Sequence, residues 1–354
     1  MAVIVFALVA VFHALGPAAG GAAQGDRRAQ TRTEQALRRE GDALVALADA
    51  ALAGRADPAG LVLDWRNDFF KAQPGTFVPF TLTFAQTEMT SRRVLLYVRA
   101  ERQSAPTAEK PRRRLSPAYE TIFPVRLDTT SGRLARIMRG FAVPPGRYRV
   151  VVVLREMPEN PEEPMARRTS GSLVRELDVP DFWTGELAIS TVLLADRVEP
   201  LSAPVPADEL DEHPYVVGTN RIHPAQGTSF PRNRELVVVF LVYNPFVGID
   251  KHFDLQVDYH LFRKDPGGAP PGGGPPDGPG PRRGERYVTR TNPQRFNPAM
   301  MGTGFDPLSG TPVLAGQGIL LAAFEPGDYR LEITVTDLLS RKSLSRDVAF
   351  TVVG

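Results

Sequence analysis

The chain has 354 residues, of which 42% are hydrophobic and 23% charged, with a formal net charge of +2 and no cysteine. That length exceeds what one core usually fills, so two domains are expected. The small basic excess excludes a nucleic-acid footprint, and the missing cysteine excludes disulfides and any lipid attachment through cysteine.

Met1 to Leu15 are almost wholly apolar, and Pro17 and the small residues Ala18 to Ala23 follow. This order reads as a secretory signal peptide over 1–24, placing the mature protein in the periplasm or outside the cell. No Lys or Arg precedes the apolar run, so a short uncleaved anchor is the alternative. No later window holds the ~18 consecutive apolar residues of a membrane-spanning helix. Of the 42 basic residues 37 are arginine, which points to a GC-rich bacterial genome.

Residues 30–54 place Leu37, Leu44, Val45, Leu47, Ala48, Ala51 and Leu52 near helical spacing and end at Gly54. One amphipathic helix is expected there, packed on the first domain. From Leu61 the apolar period changes to two, giving seven short runs between Leu61 and Val179. Residues 60–181 therefore read as a first β-sandwich module. Residues 182–214 read as a Pro-rich linker with one strand at Leu187 to Leu194. Residues 215–354 repeat most of the strand list as a second module. Each module carries a long polar insertion, Gln103 to Pro117 and Asp265 to Gly284. The second has 15 Gly or Pro among 20 residues, a composition expected to stay disordered.

One phrase is written twice, Pro145-Gly146-Arg147-Tyr148-Arg149 and Pro326-Gly327-Asp328-Tyr329-Arg330, each before an alternating apolar run. Pro-Gly makes a tight turn, and a Tyr opening the penultimate strand is where a tyrosine corner sits, so Tyr148 and Tyr329 are expected to be structural. On these features both halves resemble the tandem Ig-like or fibronectin type III-like β-sandwiches of secreted bacterial proteins. The resemblance implies an all-β fold behind a signal peptide and one helix, and says little about ligand. Neither half carries the Cys pair of antibody domains. The β-rich tails of bacterial proteins with a von Willebrand type A domain also look similar, but the Asp-x-Ser-x-Ser motif for metal-dependent adhesion is missing.

Asp250, His252, Asp254, Gln256, Asp258 and His260 alternate with apolar residues, so all six are expected on one face of a strand. His252, Asp254, Asp258 and His260 are the candidate metal ligands, set against a plain solvated sheet face. Arg112, Arg113 and Arg114 form a basic loop tip able to meet an acidic partner or lipid head groups. Trp183 lies just past the first module, where an exposed indole would mark a carbohydrate or protein contact. No nucleophile elbow, phosphate loop, dinucleotide fingerprint or His-Glu-x-x-His is present. The expectation is a non-enzymatic exported protein without a cofactor, binding a protein or another cell-envelope component as scaffold or adhesin, with an unpaired sheet edge as one route to a partner strand. The alternative is a carbohydrate-active or metal-dependent enzyme, or its accessory domain.

Overall fold

The computed structural model describes residues 23–57, 59–73, 75–103, 116–128, 133–159, 168–206, 209–249, 251–265, 274, 278–301 and 305–354. All but the last two residues of the expected signal peptide, the Arg112 to Arg114 tip and most of the Pro/Gly insertion lie outside these residues. The fold is predominantly β. In chain order, α1 (Ala23–Leu52) is followed by β1 (Leu63–Asn67), β2 (Phe70–Ala72), β3 (Gly75–Ala85), β4 (Arg93–Arg102), β5 (Tyr119–Arg126), β6 (Leu134–Val143), β7 (Gly146–Met157) and β8 (Ser170–Val179). Then come β9 (Ala188–Ile189), β10 (Leu193–Pro200), β11 (Val216–Val217), β12 (Asn220–Pro224), β13 (Ser229–Pro231), β14 (Glu235–Tyr243) and β15 (Leu255–Lys264). The chain closes with β16 (Glu285–Arg290), β17 (Gln294–Phe296), the short α2 (Pro298–Met301), β18 (Val313–Leu320), β19 (Gly327–Asp337) and β20 (Lys342–Val353).

Two compact units result, and they do not follow the simple serial division expected from the sequence. Unit 1 comprises residues 1–65, 81–137 and 146–179, and unit 2 comprises 66–80, 138–145 and 180–354. Strands β1, β3 and β6 each carry residues of both units. Residues 182–214 are not a linker. The single strand expected there is two, and β10 runs between β12 and β14 inside a unit 2 sheet. Its Leu193, Leu194 and Ala195 are buried, and that apolar surface is what draws the segment into the second core.

In unit 1 the antiparallel sheet β5-β4-β7-β8 is backed by α1. Leu44, Ala48 and Ala51 of the helix pack on Tyr97, Val151 and Val153. The intervening Val150, Val152 and Leu154 are buried too, so β7 has both faces covered and reads as a continuous apolar run. Polar clamps fix the helix: Asp49 meets Arg99 at 2.7 Å, Glu40 meets Arg155 and Arg168, and Arg149 donates to the Leu52 carbonyl at 2.8 Å. That last bond satisfies a carbonyl left free at the helix end.

In unit 2, sheet β11-β12-β10-β14-β18, with β9 on β14, faces sheet β13-β20-β19-β15-β16, with β17 on β15. The core between them holds Val238, Phe240 and Val242 from one sheet and Leu255, Val257, Tyr259, Leu331, Ile333 and Val335 from the other.

The repeated phrase opens equivalent strands. Gly146 begins β7 with φ 141° and Gly327 begins β19 with φ 150°, backbone that other residues rarely adopt. Tyr148 lies opposite Arg102 of β4, and Tyr329 lies opposite Arg263 of β15. A Cβ at either glycine would press on that arginine, 3.2 Å from the Arg102 guanidinium or 3.0 Å from Arg263 Nε. Both tyrosines are buried, and Tyr329 Oη donates to the Glu325 carbonyl at 2.7 Å, tying the strand start to the turn before it.

Candidate binding surface at one end of the second unit

The expected polar strand face holds in part: Gln256, Asp258 and His260 alternate along one side of β15, and the polar residues before them do not belong to the strand. Strand β15 begins only at Leu255, so exposed His252 precedes it, and Asp250 lies outside the described residues. Asp254 is buried and bidentate to Arg295 at 2.8 and 2.5 Å, a bond that holds its carboxyl below the usual range despite the opposing effect of burial. Asp258 hydrogen-bonds Gln256 at 2.9 Å. His260 is buried between Glu332 on β19 and Arg290 on β16, and its Nδ1 has no partner among the described residues. Among the described residues no group of three His, Asp or Glu is arranged to hold a metal. A strand spaces same-face residues too widely to chelate without help from neighbours, and each neighbour here is already paired.

The strands paired beyond β15 carry a buried ionic cluster. Arg330 donates to both Glu285 oxygens at 2.8 and 2.7 Å, to Glu332 at 2.5 Å and to Asp347 at 2.9 Å. Its guanidinium also stacks 4.1 Å above the centre of the Phe262 ring. Burial lowers the tendency of Arg330 to stay charged, and the three carboxylates outweigh it. Every group here is satisfied internally, so the cluster is a structural brace across β16, β19 and β20.

A separate concentration of exposed apolar side chains lies at one end of unit 2. Register sets this end: Leu255 pairs with Asp337 and with Phe296, Val242 with Val313, and Tyr243 with Ala188. The connections 182–187, 244–254, 297–312 and 338–341 therefore meet there. Among the described residues twelve large hydrophobic side chains are exposed, and six of them, Trp183, Phe246, Ile249, Met300, Leu308 and Leu339, lie on these four connections. Scattered exposed hydrophobics are ordinary; here half of them fall on the loops of one sheet end, and Phe246 and Leu308 line one groove there, the kind of surface that marks an interaction site.

The patch is built on fixed backbone. Asn244, at φ 52°, donates from Nδ2 to the carbonyls of Phe182 at 3.0 Å and Glu186 at 2.8 Å, locking two of the connections together. Asp337 accepts from the backbone of Phe246, Leu339 and Ser340, locking a third. Between them runs a groove of about 230 Å³, lined by Gly185, Leu187, Asn244 to Val247, Leu308, Asp337, Ser340 and Lys342. At its Asn244 end stands Trp183, 43% exposed, whose Nε1 donates to the carbonyls of Ala72 and Gly75 at 3.0 and 2.9 Å. Lys71 Nζ lies 4.3 Å from the centre of its ring and bonds Asn244 Oδ1 at 2.7 Å, and burial lowers the lysine's pKa.

Of the described residues expected to act, Trp183 stands at the groove, while His252 and Asp254 lie on connection 244–254 but do not line it. Lys71, Phe246, Ile249 and Leu308 were not legible as a group, because they sit far apart in sequence. A usable signal did exist: the chain has only five lysines, and apolar residues stand inside the turn-rich stretch Asn244 to Asp250.

The sequence matches no protein-family model and no curated protein. Among solved structures it is matched to a Salmonella alpha-2-macroglobulin reacted with methylamine, at 13% identity, covering 84% of this chain and 17% of that one, with a TM-score of 0.21. It is also matched to an Escherichia coli alpha-2-macroglobulin activated by porcine elastase, at 10% identity, covering 84% and 22%, with a TM-score of 0.21. The chain thus spans about a fifth of the length of these proteins.

Proposed function

We propose that this is a non-enzymatic, exported protein of the bacterial cell envelope, built from Ig-like or fibronectin type III-like β-modules, which binds another protein as a scaffold or adhesion component. Supporting the export is the apolar leader followed by small residues, and supporting the module type is the repeated Pro-Gly-x-Tyr-Arg strand start. The observation that carries the binding role is the apolar patch on four connections around a groove at one end of unit 2. Sandwich loops that meet at one end are a common binding platform, because the sheets hold them while their sequence is free to vary.

The test is site-specific photo-cross-linking in cells. A photoreactive amino acid replacing Ile249 is expected to give a discrete protein adduct in the envelope fraction, whereas the same group replacing Leu320, exposed but outside the patch, gives none. Equal labelling from both positions, or none from position 249, would overturn the reading.

A further inference from the structure

Most polar groups around the groove are spent on the protein itself. Both carboxylate oxygens of Asp337 accept backbone N–H groups, both Asn244 amide atoms are engaged, and the Trp183 N–H is shared by two carbonyls. Lys342 is paired with Glu186. Lys71 differs. An ammonium has three donors, yet among the described residues Lys71 Nζ meets only the neutral Asn244 Oδ1 at 2.7 Å and the rings of Trp183 and Tyr243 at 4.3 and 6.0 Å. A partly buried cation without a carboxylate therefore stands against Asn244, a residue of a groove whose lining is part apolar and part polar.

Resting on the binding role proposed above, we infer that the groove takes a partner protein segment in which a large apolar side chain adjoins a carboxylate. The apolar side chain lies against Phe246, Val247 and Leu308, and the carboxylate bonds Lys71 Nζ beside Trp183. Size favours a side chain, since the groove is smaller than ordinary pockets for a whole small molecule. Charge complementarity selects the acid, because one missing counter-ion is what Lys71 lacks. A sugar is disfavoured: reading hydroxyls needs free polar side chains, and here they are already bonded. A bilayer is disfavoured because a concave groove cannot be filled by a flat surface.

The test uses the full chain and short labelled Gly/Ser peptides that carry Phe-Asp, Phe-Asn, Ser-Asp or Phe-Lys. The Phe-Asp peptide is expected to bind about tenfold or more tightly than the Phe-Asn and Ser-Asp peptides, the discrimination of one desolvated charge pair or one buried ring. Lys71→Met should erase the Asp over Asn preference and keep the Phe over Ser preference, while Lys71→Glu should favour the Phe-Lys peptide. Leu320→Ser should change nothing, and unchanged melting temperatures show that the variants fold. Equal binding of the Phe-Asp and Phe-Asn peptides, an acid preference that survives Lys71→Met, or tighter binding of a polyuronate or of anionic vesicles would overturn the inference. A cross-link from position 249 without acid dependence in the peptides would sink this chemistry alone and leave the binding surface standing.

Discussion

Lys71 Nζ sits 4.3 Å from the centre of the Trp183 ring, and the indole N–H of that same ring is anchored to the carbonyls of Ala72 and Gly75. An exposed tryptophan held this way cannot fold its ring back into the core, and one face stays beside a positive charge. The consequence is an aromatic platform with a fixed electrostatic sign.

Fluorescence reads this pair directly, because the chain has two tryptophans and Trp65 is buried. Trp183 should account for nearly all quenching by iodide. Lys71→Met should lower the iodide quenching constant and leave quenching by neutral acrylamide almost unchanged, since only the anion is attracted to the ammonium. Equal loss with both quenchers would mean that the ring moved, not that a charge was removed.

Arg330 braces three strands while nearly fully buried. Arg330→Ala leaves Glu285, Glu332 and Asp347 crowded without their cation and should lower stability by about 3 to 5 kcal/mol in urea unfolding. Arg330→Met together with Glu285→Leu should recover much of that, since an apolar pair carries no stranded charge. A single-variant loss below about 1 kcal/mol would show that solvent reaches the cluster.

The two Pro-Gly turns make a matched prediction. Gly146→Ala and Gly327→Ala each force a side chain into positive φ and onto an arginine, so each should cost about 1 to 3 kcal/mol. Tyr329→Phe removes the bond to the Glu325 carbonyl and should cost about 1 kcal/mol. Thermal melts of the three variants check the ordering, and a neutral Gly327→Ala would contradict the strained-turn account.

His260 is one acid-sensitive group in unit 2, and its usual value lies near neutral pH. Burial lowers its pKa below the usual 6.5, against the raising effect of Asp258 and Glu332 and in line with the lowering effect of Arg290. The unfolded chain therefore binds a proton more readily than the native one, so stability rises with pH. The contribution is present above the unfolded pKa and is lost as pH falls from about 6.5 through the depressed native value. His260→Gln should flatten the slope of melting temperature against pH in that window. An unchanged slope would place the acid sensitivity elsewhere.

Local physics made much of the fold legible. The period-two runs at Arg93 to Ala100 and Tyr148 to Leu154 are strands, and the helical spacing through Leu44, Ala48 and Ala51 is a helix packed by that face. The described helix reaches back to Ala23, not only to residue 30, and its polar first turns, Gly25 among them, leave no apolar period to detect. The linker reading of 182–214 failed because Pro and acidic residues dominate its second half, while Leu193 to Ala195 gain burial only from strands that pair with them across the chain. The polar face of β15 held only in part for the same reason: alternation fixes direction, but whether a face meets water depends on Glu285, Arg295 and Arg330 from other strands. The binding surface was the least legible part, because only the register of four distant connections brings Trp183, Phe246 and Leu308 to one end.

The most direct check of that surface is hydroxyl-radical footprinting of the full chain, purified and in the envelope fraction. Trp183, Phe246 and Met300 should react readily in the purified protein and be protected several-fold in the envelope fraction, while Leu134, Met138 and Leu320, exposed outside the patch, react equally in both. Protection spread evenly over all six residues, or absent from the first three, would contradict a binding surface at this end of unit 2.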